Sequence, residues 1–494
     1  MPKFMPRNIV RLVAVTVALA LASVAQAAPA WLKAETPRFT IYSMGSERDL
    51  RNYAERVELM DAVFWEVYGL QRPPPSPRKL PIYLVDKPAT LRQVAPFLND
   101  NVVGFYSSGR DAVFAIGLAQ DGNDYVLLHE YAHHLMLQNF PYGYPAWLVE
   151  GYAEYFMGTT IEDSSIKVGF APRGRSYELN SQLWFPWETI LTKRVSDIPP
   201  GRASLFYAQS WLLTHYLMSN PERSKQLQAY LTAVGQGQES VAAMEAATGM
   251  KTEAWDRRLR TYGGGQMPYM QFKKSQFEKT TAEISRLPAG AADLLLDDLH
   301  VRSEVADEKK APLLASIREK AARYPDDAFA QLALARAEIR IGDAEAGGSR
   351  LKTYMTAHPN DVEALALEAD RLMDLGDKTP ARQAELYTQA GNILVAAFRL
   401  NPSRYQTLAA FARSRRGEAN YPSDNTMTAL LTALKLAPQV SENRLLAAEG
   451  LIKRSRQRDA IMVLSPLANS PHEDALSKKA REMMAEAVKS APSP

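Results

Sequence analysis

The 494-residue sequence predicts an α+β lobe followed by an all-α domain of helical repeats. Three observations carry this. Strand-like and helix-like segments alternate over residues 37–137, the chain turns mainly helical from Tyr125 onward, and a period of about 34 residues runs through the C-terminal half.

In the first lobe, Arg38 to Tyr42 alternates with period two, as a half-buried strand does. Ser46 with Asp49 three residues on resembles a helix start, and Leu50, Tyr53, Val57, Phe64 and Val67 then keep helical spacing. Pro73-Pro74-Pro75 closes that stretch, because consecutive prolines lack the donors a helix needs. Leu80 to Val85 reads as a second strand. Val102 to Tyr106 and Ala112 to Ile116 flank Ser107-Ser108-Gly109-Arg110 and read as a hairpin. Gly263-Gly264-Gly265 is the clearest flexible punctuation, so the lobe is bounded at 28–262, with 263–290 as linker and 291–494 as the repeat domain.

In that last region Pro325 and Pro359 lie 34 residues apart, and Gly342-Asp343 recurs as Gly376-Asp377. Pro402, Pro438 and Pro471 continue the series. Ten residues after four of these prolines stands an alanine: Ala335, Ala369, Ala412 and Ala448. A small residue there lets two helices of one hairpin approach closely, and the proline ends the second helix. The pattern resembles divergent tetratricopeptide repeats, whose period is ~34 residues.

The N-terminus reads as a targeting segment. Lys3, Arg7 and Arg11 precede an apolar stretch from Leu12 to Val24, and Ala25-Gln26-Ala27 supplies a small-x-small cleavage pattern. Residues 1–27 are therefore expected to be a signal peptide, and the mature chain periplasmic or secreted. Removing three of the 58 Lys and Arg leaves 55 against 55 Asp and Glu, so charge balance points to neither nucleic acid nor an anionic membrane as partner. The absence of cysteine excludes disulfides, thiol catalysis and cysteine metal sites.

Three of the seven histidines are His129, His133 and His134. From Tyr125 to Leu137 no residue breaks a helix. His129 and His133 are four apart, so both imidazoles leave one face and can share a tetrahedral Zn²⁺ at ~2.0–2.1 Å. Glu130 is rotated by ~100°, within reach of a water at the ion without being a ligand. An HExxH string alone arises by chance in ~1% of chains of this length. The apolar flanks raise its weight, because a buried His-Glu-His cluster is costly unless a metal compensates it. Met136 and Asn139 stand where a metzincin needs Gly and His, which excludes that group.

Sixteen residues separate His133 from Glu150, in Trp147-Leu148-Val149-Glu150-Gly151-Tyr152-Ala153-Glu154-Tyr155. This W-L-x-E-G-x-A-E-Y segment closely resembles the third-ligand helix of gluzincin, or peptidase MA-like, zinc metallopeptidases. The resemblance covers residues 30–262 in layout and is specific at His129–His133 and Trp147–Glu154. It implies a zincin-like lobe that hydrolyses peptide bonds, with Glu150 as third zinc ligand and Glu154 accepting the other N–H of a ligand histidine. Zinc would lower the pKa of water toward ~7, and Glu130 would take its proton and deliver it to the leaving amine. Related enzymes supply an oxyanion donor from a later helix. Phe206 to Leu217 is the matching segment, with Tyr207 as the choice and His215 as the alternative. His134 is expected to pack beside the site and not to bind metal. An extended peptide could pair with Val102–Tyr106 or Ala112–Ile116, and the repeats could hold a substrate or protein partner. The competing reading is a periplasmic repeat scaffold whose zincin lobe turns over little or nothing. A hydrolase of peptidoglycan cross-bridges would share the chemistry and differ in substrate.

Overall fold

The computed structural model describes residues 31–490, apart from 77, 97, 99–101, 120–124, 173, 200 and 304. The targeting segment read over residues 1–27 lies outside the described residues. Among those described, no helix is long and apolar enough to cross a membrane.

The first lobe is built on a mixed sheet. Its early strands are Leu32–Glu35 (β1), Phe39–Ser43 (β2), Leu80–Val85 (β3), Gly104–Ser108 (β4) and Val113–Leu118 (β5), with helices Glu47–Val67 (α1) and Pro88–Val94 (α2) between them. Ser46 caps α1 as its spacing predicts, accepting from the Asp49 N–H. The helix stops at Val67, six residues before the proline triplet. Tyr125–Asn139 (α3) and Ala146–Met157 (α4) carry the two motifs.

There follow Thr160–Ile161 (β6), Ser165–Val168 (β7), Arg175–Ser181 (α5), Trp187–Thr192 (α6), Ala203–Met218 (α7), Pro221–Gly235 (α8), Ser240–Thr248 (α9) and Trp255–Gly263 (α10). The segment expected as a linker then contributes two strands, Met270–Lys273 (β8) and Glu283–Arg286 (β9). β8 pairs with β7, and β9 pairs with β1. The principal sheet runs β4-β5-β3-β2-β1-β9 and a small one β6-β7-β8. β2, β3 and β5 are parallel, while β4 and β9 close the edges antiparallel. β5 therefore has both its sides hydrogen-bonded, which removes Ala112–Ile116 as a place for a peptide to pair and leaves β4.

The C-terminal region is a helical-repeat array. It comprises Ala289–Arg302 (α11), Asp307–Ala322 (α12), Ala328–Ile341 (α13), Ala344–Ala357 (α14), Val362–Lys378 (α15), Gln383–Leu400 (α16), Tyr405–Ser414 (α17), Asp424–Leu436 (α18), Ser441–Lys453 (α19), Gln457–Ala468 (α20) and Ala475–Ser490 (α21). Pro359, Pro402, Pro438 and Pro471 each follow the second helix of a pair. Ala335, Ala369, Ala412 and Ala448 are each fully buried on the first. At such contacts an added methylene would have to displace close-packed neighbours. Gly342-Asp343 ends α13 and caps α14. Its counterpart Gly376-Asp377 behaves differently, because α15 runs through it to Lys378.

The repeats return to the first lobe. Tyr405 Oη donates to Gly109 O at 3.3 Å and Gln406 Nε2 to Asp111 O at 3.4 Å, on the β4–β5 turn. Arg340 reaches Asp111 at 3.2 Å.

Candidate metal centre

α3 is held by a buried ionic cluster that lies far from it in sequence. Tyr131 Oη donates to Asp61 at 2.6 Å, and Asp61 also accepts from Arg38 at 2.7 Å and Arg72 at 2.6 Å. With Tyr131 so fixed, His129 and His133 face away from α1 toward α4. α4 is held equally firmly: Trp147 is fully buried and its indole N–H donates to Tyr230 Oη at 3.1 Å. Gly151 lets α4 lie directly on α7. A Cβ there would come 2.4 Å from Ser210 O and 2.3 Å from Thr214 Oγ1. The glycine of the W-L-x-E-G motif is thus a close-approach residue that seats Glu150.

Among the described residues, His129, His133 and Glu150 form a group of potential metal ligands with donor atoms within 4.8 Å of one another. The two Nε2 atoms are 3.1 Å apart, and Glu150 Oε2 is 3.5 Å from each. Donors bound at 2.0–2.1 Å around a tetrahedral Zn²⁺ stand about 3.3–3.4 Å from one another, so the triangle has the right edges. Glu150 is 1% exposed, and its oxygens face the ring nitrogens of His129, His133 and His472 at 3.5, 3.5 and 3.3 Å, too far for strong hydrogen bonds. A buried carboxylate costs several kcal/mol unless positive charge compensates it, on the order of other buried ions. These residues fit a divalent ion. Burial alone would depress the His129 imidazole, but Glu150, Glu130 and Glu154 outweigh it and push it up to about 9. Glu150 is held well below the usual carboxylate range despite its burial, by His133, His129 and His472.

Glu154 lies one turn beyond Glu150. Its Oε1 is 3.4 Å from His129 Nδ1, and both its oxygens accept from Arg175, at 2.7 and 2.6 Å. A carboxylate on Nδ1 favours the tautomer that leaves Nε2 free for a metal. Glu130 is near enough for its charge to act on His129 and Tyr207. The Tyr207 ring stands edge-on to His129 with centroids 6.3 Å apart, and the Arg175 guanidinium lies 5.3 Å from its face. Burial and then Glu150 raise the Tyr207 phenol, keeping its proton on.

The other two candidates lie away from the triangle. His134 Nδ1 is 2.9 Å from Tyr106 Oη on β4, its ring stacks on Tyr131, and burial pulls it down to about 3. His215 is 2% exposed, packs on Tyr155 and Trp211, and its Nδ1 meets Tyr262 Oη at 2.7 Å. It is a core histidine.

Burial lowers the His215 imidazole from 6.5 to about 4. The folded chain therefore refuses a proton that the unfolded chain accepts below pH 6.5. Stability is full above that pH and falls toward pH 4, with a slope of up to about 1.4 kcal/mol per unit from this one group. His215→Asn, which can still accept from Tyr262, is expected to lose less urea resistance between pH 7 and pH 5 than the wild type. Equal losses in the two proteins would show that His215 does not titrate this way.

Two residues at the centre carry no sequence signal of their own. Arg175 sits in a seven-residue helix, 21 positions from the glutamate it binds. His472 belongs to the repeat domain, yet its Nε2 lies 3.3 Å from Glu150 Oε1.

No family model matches the chain, and comparison with curated proteins finds no match. Among solved structures, the chain is similar to the thermophilic TPR protein TTC0263 of Thermus thermophilus. The identity is 20%, over 37% of this chain and 92% of that one, with a TM-score of 0.31. A structure of MamA is similar at 14% identity, over 39% of this chain and 94% of that one, with a TM-score of 0.26. Likenesses of this size carry no argument about function, and the description of the C-terminal array as helical repeats stands on its own helix pairs.

Proposed function

We propose that the chain is an exported zinc metallopeptidase of the gluzincin type, acting in the periplasm or after secretion, whose repeats bind a substrate or partner protein. The observation that carries the reading is the triangle of donor atoms formed by His129, His133 and the buried Glu150 carboxylate.

When bound, zinc supplies a Lewis acid that polarises the scissile carbonyl and makes water a better nucleophile. The chain's own groups do the rest. Glu130 takes the proton of the attacking water and passes it to the nitrogen of the breaking C–N bond. Tyr207, its proton retained, donates to the carbonyl oxygen as charge develops there. Glu154, clamped by Arg175, stands 3.4 Å from His129 Nδ1, where its charge favours the tautomer with the proton on that nitrogen. An extended peptide can add to the open edge of β4, which packs along α3, by main-chain pairing. Glu130 favours an enzyme over a scaffold, since a scaffold has no use for a carboxylate outside the ligand set.

Metal analysis of the purified mature protein tests the reading. The expected result is about one zinc per chain, lost in both His133→Ala and Glu150→Ala. No zinc in the wild type after reconstitution would leave a repeat scaffold with an inactive lobe.

A further inference from the structure

The turn between α20 and α21 reaches the metal centre. It is docked on two sides of it: Asn469 Nδ2 donates to Gly143 O at 3.2 Å, and Val195 N donates to Pro471 O at 3.1 Å. Arg194 donates to Ala468 O at 3.2 Å and lies 3.7 Å from Glu473. Glu473 is itself 3.2 Å from both Lys478 and Arg481 of α21, which steadies the turn from behind. The fit is close. A Cβ at Gly143 would fall 1.9 Å from Ser465 Oγ, so this glycine is what lets α20 lie on the loop between α3 and α4. Between these anchors stands His472. Its side chain is 63% exposed on its outer side, while its Nε2 is turned inward to Glu150 Oε1.

The two oxygens of Glu150 thus face different partners. Oε2 faces His129 and His133, and Oε1 faces His472. A carboxylate in a metal site can swing between one and both oxygens unless the second is held, and partners of that kind strongly affect metal affinity.

We infer that His472 is a positioning residue of the metal centre, donated by the repeat domain, which holds Glu150 Oε1 so that Oε2 alone is presented to the ion. The inference rests on the zinc reading above. It makes the turn between the last two helices part of the active site, so that the two halves of the chain form one functional unit.

The test uses the full mature chain and three proteins: wild type, His472→Ala and His472→Gln. Zinc affinity is measured by competition with a chromogenic chelator, the cobalt-substituted proteins are compared by visible absorption, and hydrolysis of a quenched fluorescent peptide is split into kcat and KM. Because the side chain is largely exposed, both variants should fold, as far-UV circular dichroism will show. His472→Ala is expected to weaken zinc binding by about 10-fold or more, to alter the cobalt bands and to lower kcat with KM unchanged. His472→Gln, whose amide N–H can donate to Oε1, is expected to restore all three.

Wild-type affinity and spectrum in the alanine variant would overturn the inference. So would higher turnover in that variant, which would make His472 a blocking group. Failure of glutamine to restore the cobalt bands would make it a direct ligand. A wild type that binds no zinc sinks the underlying reading instead, and the two failures are therefore told apart.

Discussion

Glu130→Gln is expected to keep the full zinc content of the wild type while turnover of a peptide substrate falls by ~10²-fold or more. The geometry separates the two effects. Glu130 follows His129 by one residue on α3, a rotation of ~100°, and it is outside the group of donor atoms formed by His129, His133 and Glu150. A carboxamide has nearly the same shape, so α3 and its contact to Asp61 through Tyr131 should not shift. What is lost is basicity: an amide oxygen does not take up a proton at neutral pH, and water must attack without general-base help. A hundredfold loss corresponds to about 2.7 kcal/mol of transition-state stabilisation. The loss belongs in kcat, because Glu130 is assigned no role in binding the peptide. Metal content by emission spectroscopy and peptide hydrolysis on the same preparation are sufficient. Unchanged turnover would remove Glu130 from the mechanism. Loss of zinc would mean that it is a ligand after all.

The parts of this site that were legible in the sequence are those set by local geometry. A spacing of four on an unbroken helix puts His129 and His133 together whatever the rest of the fold does. Ser46 before a helical pattern and a proline after each helix pair are likewise short-range signals. Even the four alanines, spaced by the repeat, announce buried contacts that the structure contains. What the sequence does not announce is pairing at long range. β9 is a mostly exposed four-residue strand that joins β1 some 250 positions earlier, and it hides in a stretch whose glycine triplet reads as a linker. The first of those glycines in fact still belongs to α10. Glu58 and Asp61 look like ordinary helix-surface acids, although both are buried against Arg38 or Arg72 to anchor the α3 region. Arg175 and His472 reach the centre from a short helix and from a turn 322 positions beyond Glu150. A lone arginine or histidine in such places has no spacing to betray it. Sequence periodicity identifies the residues that share an element, whereas these partners share only a location.

Arg175→Met is expected to cost about 3–5 kcal/mol of folding stability, the range for removing one partner of a buried ion pair. Glu154 is 1% exposed and Arg175 is 17% exposed, and the two hydrogen bonds between them are parallel and short. Methionine fills much of the same space but leaves the Glu154 charge without its guanidinium. Part of the damage should spread to the metal centre, because Glu154 also faces His129 Nδ1. A second substitution separates the two consequences. Replacing a buried pair by apolar residues of similar volume is often neutral for stability, so Arg175→Met with Glu154→Leu should recover most of the lost urea resistance. Zinc affinity should not recover, because leucine offers His129 Nδ1 no acceptor and the ring loses the group that fixes its tautomer. That deficit is expected to be about 10–100-fold, as for other partners of metal-binding histidines. If the double variant regained both stability and affinity, Glu154 would be serving Arg175 alone and not His129. If it regained neither, the pair would be holding α5 against α4 in a way that apolar packing cannot replace.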